Sequence, residues 1–146
     1  MSEAQSNSVP KIVVVDDDYE LLKLISMLLR RIGAQVRTFF DGREAMNYLK
    51  REVPDLIILD LMLPDVDGLE VLRQIRAQSQ FDEVPILILS AKADPDTIRQ
   101  GLEYGADAYV TKPYIANTLI DRVRVLLNRG RQAQRQPEPE SPPEPI

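Results

Sequence analysis

Five short apolar runs recur along the chain, separated by longer segments in which apolar residues are spaced as in helices. Most of the runs are rich in valine, isoleucine and leucine, which is typical of strands covered on both faces. The predicted strands are Ile12 to Val15, Val36 to Phe40, Leu56 to Leu59, Ile86 to Leu89 and Ala108 to Thr111. Strands that alternate with helices predict an α/β fold, a doubly wound parallel sheet of five strands with five helices.

The intervening segments carry the start and stop signals of helices. The first helix is predicted to begin after Asp18, its N-cap, and to stop at Gly33. The pair Asp94-Pro95 predicts the start of the fourth helix, because proline fits the first helical turn. The predicted inward residues are Leu21, Ile25, Leu28 and Ile32; Ala45, Tyr48 and Leu49; Leu69, Leu72 and Ile75; and Ile115, Leu119, Val123, Leu126 and Leu127.

One folded domain is expected over residues 11–129 of the 146, which is long enough to bury a real core. Residues 1–10 are expected to be a disordered N-terminal segment. Residues 130–146 hold five of the eleven prolines and almost nothing apolar, so a disordered tail or linker is expected there. Whether it is a native end or a truncated linker stays open.

The composition excludes several classes of catalytic and metal site. The chain contains neither cysteine nor histidine, which excludes disulfides, cysteine-ligated zinc and a serine–histidine–aspartate triad. The net charge of −5 gives no general argument for nucleic-acid binding. No apolar run approaches about 18 residues and the N-terminus lacks a signal pattern, so a cytoplasmic protein without membrane contact is expected.

Charged residues stand where three of the apolar runs stop. Asp16, Asp17 and Asp18 follow the first run, Asp60 follows the third, and Lys112 follows the fifth. The carboxyl ends of parallel strands lie on one edge of the sheet, where ligands bind, so these side chains are expected to share a pocket. Several carboxylates and one ammonium suit a divalent cation and a phosphoryl group.

Magnesium takes oxygen ligands, usually including one or two carboxylates. Asp17 and Asp60 can supply these carboxylates, and Asp16 can hold a metal-bound water. The backbone carbonyl of Met62 belongs to the same loop.

Asp60 is also a competent nucleophile for phosphoryl transfer, because a carboxylate can form an aspartyl phosphate. Lys112 would neutralise charge on the transferred oxygens, and the Ser90 hydroxyl can donate to one of them. Taken singly, each residue has an ordinary interpretation as a helix cap, a solvated strand end, a surface lysine or a turn. Their coincidence at four strand ends favours a site. The loop acids Asp65 and Asp67 have no assigned role.

Four segments in this order and spacing resemble the receiver domain of two-component response regulators. They are Val13-Val-Val-Asp16-Asp17-Asp18, Asp55-Leu-Ile-Ile-Leu-Asp60-Leu-Met-Leu-Pro64-Asp-Val-Asp-Gly68, Leu87-Ile-Leu-Ser90-Ala91 and Tyr109-Val-Thr-Lys112-Pro113. The resemblance covers roughly residues 11–129 and implies a flavodoxin-like fold. It also implies a signalling protein, not an enzyme, that takes a phosphoryl group from a sensor histidine kinase and at most weakly catalyses its own phosphorylation and dephosphorylation.

The family's site maps onto these residues. The resemblance implies that Asp60 is the phosphoacceptor, that Lys112 and Ser90 assist it, and that Ser90 and Tyr109 form a switch pair. It implies a cis Lys112–Pro113 bond and a signalling surface made by the fourth helix, fifth strand and fifth helix. The Mg²⁺ ligands it implies are Asp17, Asp60 and the Met62 carbonyl, with Asp16 in support.

The output is less determined. Leu61 to Glu70 and Gly101 to Pro113 look most like the winged-helix DNA-binding subfamily, but Ala108 and Thr118 stand where that subfamily carries charges of its dimer interface. A partner protein or an absent output domain is therefore expected, with no direct nucleic-acid binding by this chain. An N-terminal fragment of a DNA-binding regulator and a phosphorylation-dependent homodimer stay open.

Two other classes stay open as alternatives. Phosphohydrolases of the haloacid dehalogenase type also use an aspartate nucleophile, but they carry a second aspartate two residues on, where this chain has Met62. A phosphorylation-independent pseudo-receiver would typically lose an acid or the lysine, and this chain has kept them all.

Overall fold

The fold is a five-stranded parallel sheet between two layers of helices, seen in a computed structural model that describes residues 9–114 and 116–130. The strands are β1 (Lys11–Val15), β2 (Gln35–Phe39), β3 (Leu56–Leu59), β4 (Ile86–Ser90) and β5 (Ala108–Thr111). The helices are α1 (Tyr19–Arg31), α2 (Gly42–Leu49), α3 (Gly68–Arg76), α4 (Pro95–Glu103) and α5 (Ala116–Arg129), with a 3₁₀ turn at Ser79–Phe81. The strand order is β2-β1-β3-β4-β5, which confirms the predicted fold class.

Alternate residues of each strand face two separate hydrophobic layers, as expected for a sheet covered on both sides. Helices α1 and α5 cover one face, where Leu22 and Leu119 pack with Val14. Helices α2 and α3 cover the other, where Leu49 and Leu72 are among the buried residues. Every residue of β3 and β4 is buried, so these central strands fix the position of whatever follows them.

Strand β2 begins and ends one residue earlier than predicted. Gln35 is the partner of Lys11 and Phe39 is the partner of Val15, so the two ends of β1 set the two ends of β2. Phe40, predicted as the last strand residue, lies beyond this ladder. Its ring is exposed and stacks on Tyr19, with 5.6 Å between the ring centroids.

The buried face of α1 is centred about one position from the predicted one, although Leu21 and Ile32 also pack against the core. Besides the correctly predicted Ile25, the fully buried apolar residues are Leu22 and Leu29, whereas Leu21 and Leu28 are only half-buried. The buried face of α1 packs in one hydrophobic layer with the sheet and with α5, and this packing fixes the rotation of the helix. Both orientations satisfy the same helical spacing, so the spacing alone could not choose between them.

The predicted helix ends are confirmed. Asp18 accepts a hydrogen bond from the Leu21 N–H, and Asp94 accepts one from the Thr97 N–H. Gly33, just after α1, has a φ of 95°, in the left-handed region that glycine adopts without strain.

The first strand begins at Lys11 and the last helix ends at Arg129. The predictions for residues 1–8 and 131–146, and the inward position of Ile115, lie outside the described residues. In the described part of the chain, every helix is too short or too polar to cross a membrane.

Candidate functional site

The predicted charged residues meet at the carboxyl edge of the sheet. Val15 and Leu59 are partners in the β1–β3 ladder, so Asp16 and Asp60 leave neighbouring strands at the same level. Lys112 leaves β5 and reaches back across β4. Its Nζ lies 2.8 Å from Asp16 Oδ2 and 3.0 Å from Asp60 Oδ2. The ammonium group at the end of β5 therefore contacts two carboxylates, one at the end of β1 and one at the end of β3.

This charge cluster is largely closed to solvent. The Asp16 and Asp60 side chains are 2% and 5% exposed, and that of Lys112 is 18% exposed. Lys112 makes an aligned hydrogen bond to Asp60 Oδ2. Its contact with Asp16 is a close ion pair without that alignment, so the buried Oδ2 of Asp16 keeps an unused acceptor direction.

Burial and the two neighbouring charges decide the ionisation of the cluster. Burial raises the pKa of Asp16, and the nearby Asp60 charge adds to this, while Lys112 and the Asp18 N–H oppose it. Burial alone would lower the pKa of Lys112, but its close contacts with the Asp16 and Asp60 carboxylates outweigh it and leave that pKa raised. The carboxylates thus stabilise the charged form of the lysine.

The acidic cluster has the composition of a divalent-cation site. Carboxylate oxygens of Asp16, Asp17 and Asp60 lie within 4.8 Å of one another. Asp17 is exposed, so the cluster opens to solvent on that side. The unused direction at Asp16 Oδ2 is an acceptor that a cation or its bound water would satisfy. Three clustered oxygen donors fit Mg²⁺ better than a soft metal.

Met62 lies against the candidate phosphoacceptor. Its backbone N–H donates to Asp60 Oδ1 at 3.0 Å, and Met62 forms an isolated β-bridge with Asp67 across the loop. Asp60 is therefore held by two groups, the Met62 N–H at one oxygen and the Lys112 ammonium at the other. The metal-binding role of the Met62 carbonyl stays a prediction.

Ser90 and Tyr109, the predicted switch pair, both contact Lys92. The Ser90 Oγ, which is fully buried, accepts from the Lys92 N–H at 3.3 Å. The Tyr109 hydroxyl donates to the Lys92 carbonyl at 2.7 Å. Burial, with the charge of Asp94, raises the pKa of Tyr109, so the hydroxyl stays a donor at neutral pH.

The loop that follows Lys112 has the backbone form that the resemblance implies, because the Lys112–Pro113 peptide bond is cis. The backbone N–H of Lys112 donates to the Ser90 carbonyl at 2.9 Å. The lysine is thus anchored to the end of β4 before its side chain turns toward the acids.

Two loop acids left without a role in the sequence turn out to cap helices. Asp65 accepts hydrogen bonds from the N–H groups of Gly42 and Arg43, both at 2.9 Å, at the start of α2. Asp67 accepts from the Leu69 N–H at the start of α3. The local spacing signals the second cap, but Asp65 reaches a helix that starts 23 residues earlier, which no local pattern indicates.

A buried ion pair outside the site also went unpredicted. Arg76 donates to Asp107 Oδ2 at 2.9 Å, to the Gly105 carbonyl and to the Phe81 carbonyl. The same Asp107 oxygen accepts from the Ile86 N–H at 2.8 Å. The pair ties the end of α3 to the beginnings of β4 and β5.

This fold, with charged side chains at the carboxyl edge of its sheet, is that of a signalling domain, and comparison with known proteins agrees. The chain belongs to the response regulator receiver domain family, whose family model matches residues 12–124. The regulatory protein VanRc of Enterococcus gallinarum is 44% identical over 119 residues, which cover 82% of this chain and 50% of VanRc. The alkaline phosphatase synthesis transcriptional regulatory protein PhoP of Bacillus subtilis is also 44% identical, over 82% of this chain and 49% of PhoP.

A solved structure supports the same assignment. The receiver domain of DrrB from Thermotoga maritima, described as activated by BeF₃, is 37% identical with a TM-score of 0.76. The match covers 84% of this chain and 100% of that one. The chain spans about half the length of the curated relatives that it matches. It is a receiver domain of the two-component response regulators.

Proposed function

We propose that Asp60 accepts a phosphoryl group from a sensor histidine kinase, with Mg²⁺ bound beside it. The observation that carries this proposal is the contact of Asp60 Oδ2 with the Lys112 ammonium at 3.0 Å, next to a cluster of acids that can hold a cation. In the transfer, an Asp60 oxygen forms a bond to phosphorus. The bond from phosphorus to the kinase histidine breaks, and its electron pair returns to the imidazole nitrogen.

The residues around Asp60 have separate tasks in this proposal. Lys112 neutralises charge on the transferred oxygens, as a positioned cation does in phosphoryl transfer. Ser90 lies at the end of β4 with a buried hydroxyl that can turn toward the phosphate. Burial of Asp60 and Lys112 strengthens these interactions, because water screens them less.

Mg²⁺ would be held by Asp17, Asp60 and the Met62 carbonyl, with Asp16 bound through a water. When bound, it would supply positive charge that offsets the charge of the acids and of the incoming phosphoryl group. Without a cation, three carboxylates face one lysine in this cluster. That excess of negative charge repels a phosphoryl donor, which is a second reason to expect a cation there.

A protein donor also fits the surface beside the site. An open groove of about 490 Å³ lies next to Lys112 and is mainly apolar. Leu24 is exposed on one wall, and Leu21 and Leu28 face the groove as well as the core. We therefore expect a kinase that brings its phosphohistidine to Asp60 to bury this surface.

The acceptor is tested by incubating the protein with Mg²⁺ and acetyl phosphate, followed by intact mass spectrometry. One phosphoryl adduct is expected in the wild type and none in Asp60→Asn. Asp96→Asn is the matched control, because Asp96 is an exposed aspartate on α4 that pairs with Arg99 on the same helix. An adduct of unchanged yield in Asp60→Asn would disprove the assignment.

For the output we propose that phosphorylation changes the surface of α4, β5 and α5, which a partner protein or an output domain reads. Tyr109 lies on β5 and its hydroxyl reaches the residue two after Ser90, so a change at the site can reach this surface. An output domain is favoured by the names of the relatives, since PhoP is a transcriptional regulatory protein of which this chain spans 49%.

The two outputs are separated by measuring solution mass with and without a beryllofluoride mimic and by titrating duplex DNA at two salt concentrations. A partner-protein output predicts a monomer in both states and only salt-sensitive DNA binding. A dimer formed on adding the mimic would favour the DNA-binding regulators instead. Duplex binding that resists salt would contradict both, because contacts from a few arginines weaken steeply as salt rises.

A further inference from the structure

A second groove runs between α1 and the edge strand β2. Its volume is about 610 Å³. Two exposed aromatic rings stand at one end of it and the basic end of α1 at the other. The aromatic, apolar and basic residues that line it are Tyr19, Lys23, Met27, Arg30, Arg31 and Phe40.

The apolar part of this groove is unusually open to solvent. Tyr19 is 55% exposed, Met27 48% and Phe40 43%. The two rings stack on each other with an angle of 28° between their planes, and together they form an aromatic platform. Clustered exposed apolar side chains of this kind are typical of a binding surface.

The charge of the groove is of one sign. Lys23, Arg30 and Arg31 line it, and none of its other lining residues is acidic. Lys23 lies over the Tyr19 ring, with its Nζ 5.4 Å from the ring centroid. Within the described residues, none of these three cations has a carboxylate partner. Cations next to an aromatic platform fit a ligand that carries both carboxylates and flat apolar groups.

The chain contains such a ligand beyond Gly130. Residues 137–146, Pro-Glu-Pro-Glu-Ser-Pro-Pro-Glu-Pro-Ile, contain five prolines and three glutamates and no basic residue. Proline-rich segments favour the polyproline II helix and bind aromatic-lined grooves. Residues 1–8 lack proline and hold a single acid, Glu3, so they match the groove far less well.

We infer that residues 137–146 dock in the groove between α1 and β2 of the same molecule. The prolines stack on the Tyr19–Phe40 platform, and the glutamates pair with Lys23, Arg30 and Arg31. This intramolecular contact does not depend on phosphorylation of Asp60.

The reach of the chain permits this contact. An ideal Cβ on Gly130 would lie 3.9 Å from the Glu83 carbonyl, just before β4, so α5 ends at the amino edge of the sheet. Arg30 and Arg31 end α1 at the same edge, because β2 begins four residues later at Gln35. Helices α1 and α5 are neighbours in one hydrophobic layer, with axes about 10 Å apart by ordinary packing. Residues 131–136 span up to about 20 Å, enough to pass beneath α1.

The docking segment is long enough to follow the whole groove. In the polyproline II form, its ten residues extend about 31 Å, and the 13 residues of α1 rise about 20 Å. A short tether gives an effective concentration in the millimolar range. Even a contact too weak to detect between separate molecules would therefore be well populated within one chain.

The test uses the absence of cysteine from the chain. Ser141→Cys introduces a unique thiol for a nitroxide spin label, and amide signals of ¹⁵N-labelled protein report its position. Amides of Tyr19, Lys23, Met27 and Phe40 are expected to lose most of their intensity, while those of α3 keep it. Raising the salt from about 0.1 to 1 M, which shortens the Debye length from about 10 to 3 Å, should restore much of the signal.

Matched variants in the same labelled chain separate docking from chance proximity. Arg30→Gln with Arg31→Gln should restore the groove amides, whereas Arg122→Gln with Arg124→Gln, two exposed cations of α5, should not. Equal effects of the two pairs, or broadening spread evenly over the surface, would overturn the inference. Broadening that appears on ¹⁵N-labelled, cysteine-free protein mixed with spin-labelled, unenriched protein would also overturn it, because the occupant would then be a second copy.

Discussion

Replacing Asp107 by alanine removes the acceptor of two hydrogen bonds in a region closed to water. Asp107 Oδ2 accepts from Arg76 at 2.9 Å and from the Ile86 N–H at 2.8 Å. The aspartate side chain is fully buried and that of Arg76 is 10% exposed. In Asp107→Ala, neither donor can turn to bulk water without opening the packing between α3 and β4.

The expected cost follows from this burial. Breaking a buried ion pair by removing one partner costs about 3–5 kcal/mol, because the other charge loses its counter-ion while it stays buried. For a domain of this size, each kcal/mol lowers the melting temperature by about 4 °C, so a fall of about 12–20 °C is expected. Asp107→Asn should lose less, because its amide oxygen can still accept from the Ile86 N–H. Thermal unfolding followed by circular dichroism measures each value.

The chain provides a control pair with the same geometry on the surface. Arg99 and Asp96 also lie 2.9 Å apart, but their side chains are 59% and 81% exposed. Asp96→Ala should leave the melting temperature nearly unchanged, because water and salt screen exposed pairs. Similar falls in Asp96→Ala and Asp107→Ala would refute the argument that burial gives the inner pair its weight.

Three further predictions concern the candidate site. Asp17→Asn should bind Mg²⁺ more weakly than the wild type, because one ligand charge is lost; equal affinities in a direct titration would exclude Asp17 as a ligand. Gly68→Ala should destabilise the protein by about 1–3 kcal/mol in denaturant unfolding, because its Cβ would lie 2.7 Å from the Leu61 carbonyl oxygen. A beryllofluoride mimic should shift the amide signals of Ser90 and Tyr109, and shifts confined to the loop after β3 would contradict the switch.

The sheet could be predicted from the sequence because its central strands are buried on both faces. Leu56 to Leu59 is wholly apolar, and the predicted bounds of β3 agree with the structure. The rotation of α1 could not be predicted, because it depends on where α5 packs. The end of β2 could not be predicted either, since its partner strand sets it and Phe40 is apolar enough to extend it.

The site residues that directly follow a strand could be predicted from the sequence. Asp16, Asp60 and Lys112 each follow an apolar run. The parallel sheet brings the Lys112 ammonium within 3.0 Å of an oxygen of each carboxylate. The roles of Asp65 and Asp107 were not predictable, because their partners lie on elements distant in sequence. A carboxylate that caps another helix has the same local sequence as one that points to solvent.

The two caps of the loop after β3 have a consequence for how the domain transmits a signal. Asp65 fastens the loop to α2, Asp67 fastens it to α3, and the Gly68 N–H closes it onto the Leu61 carbonyl. The loop beside Asp60 is thus held by hydrogen bonds to helices on both sides, which restrict its movement. A change at Asp60 is therefore expected to pass through Lys112 toward β4 and β5, because the Lys112 ammonium contacts Asp60 and its N–H donates to the Ser90 carbonyl.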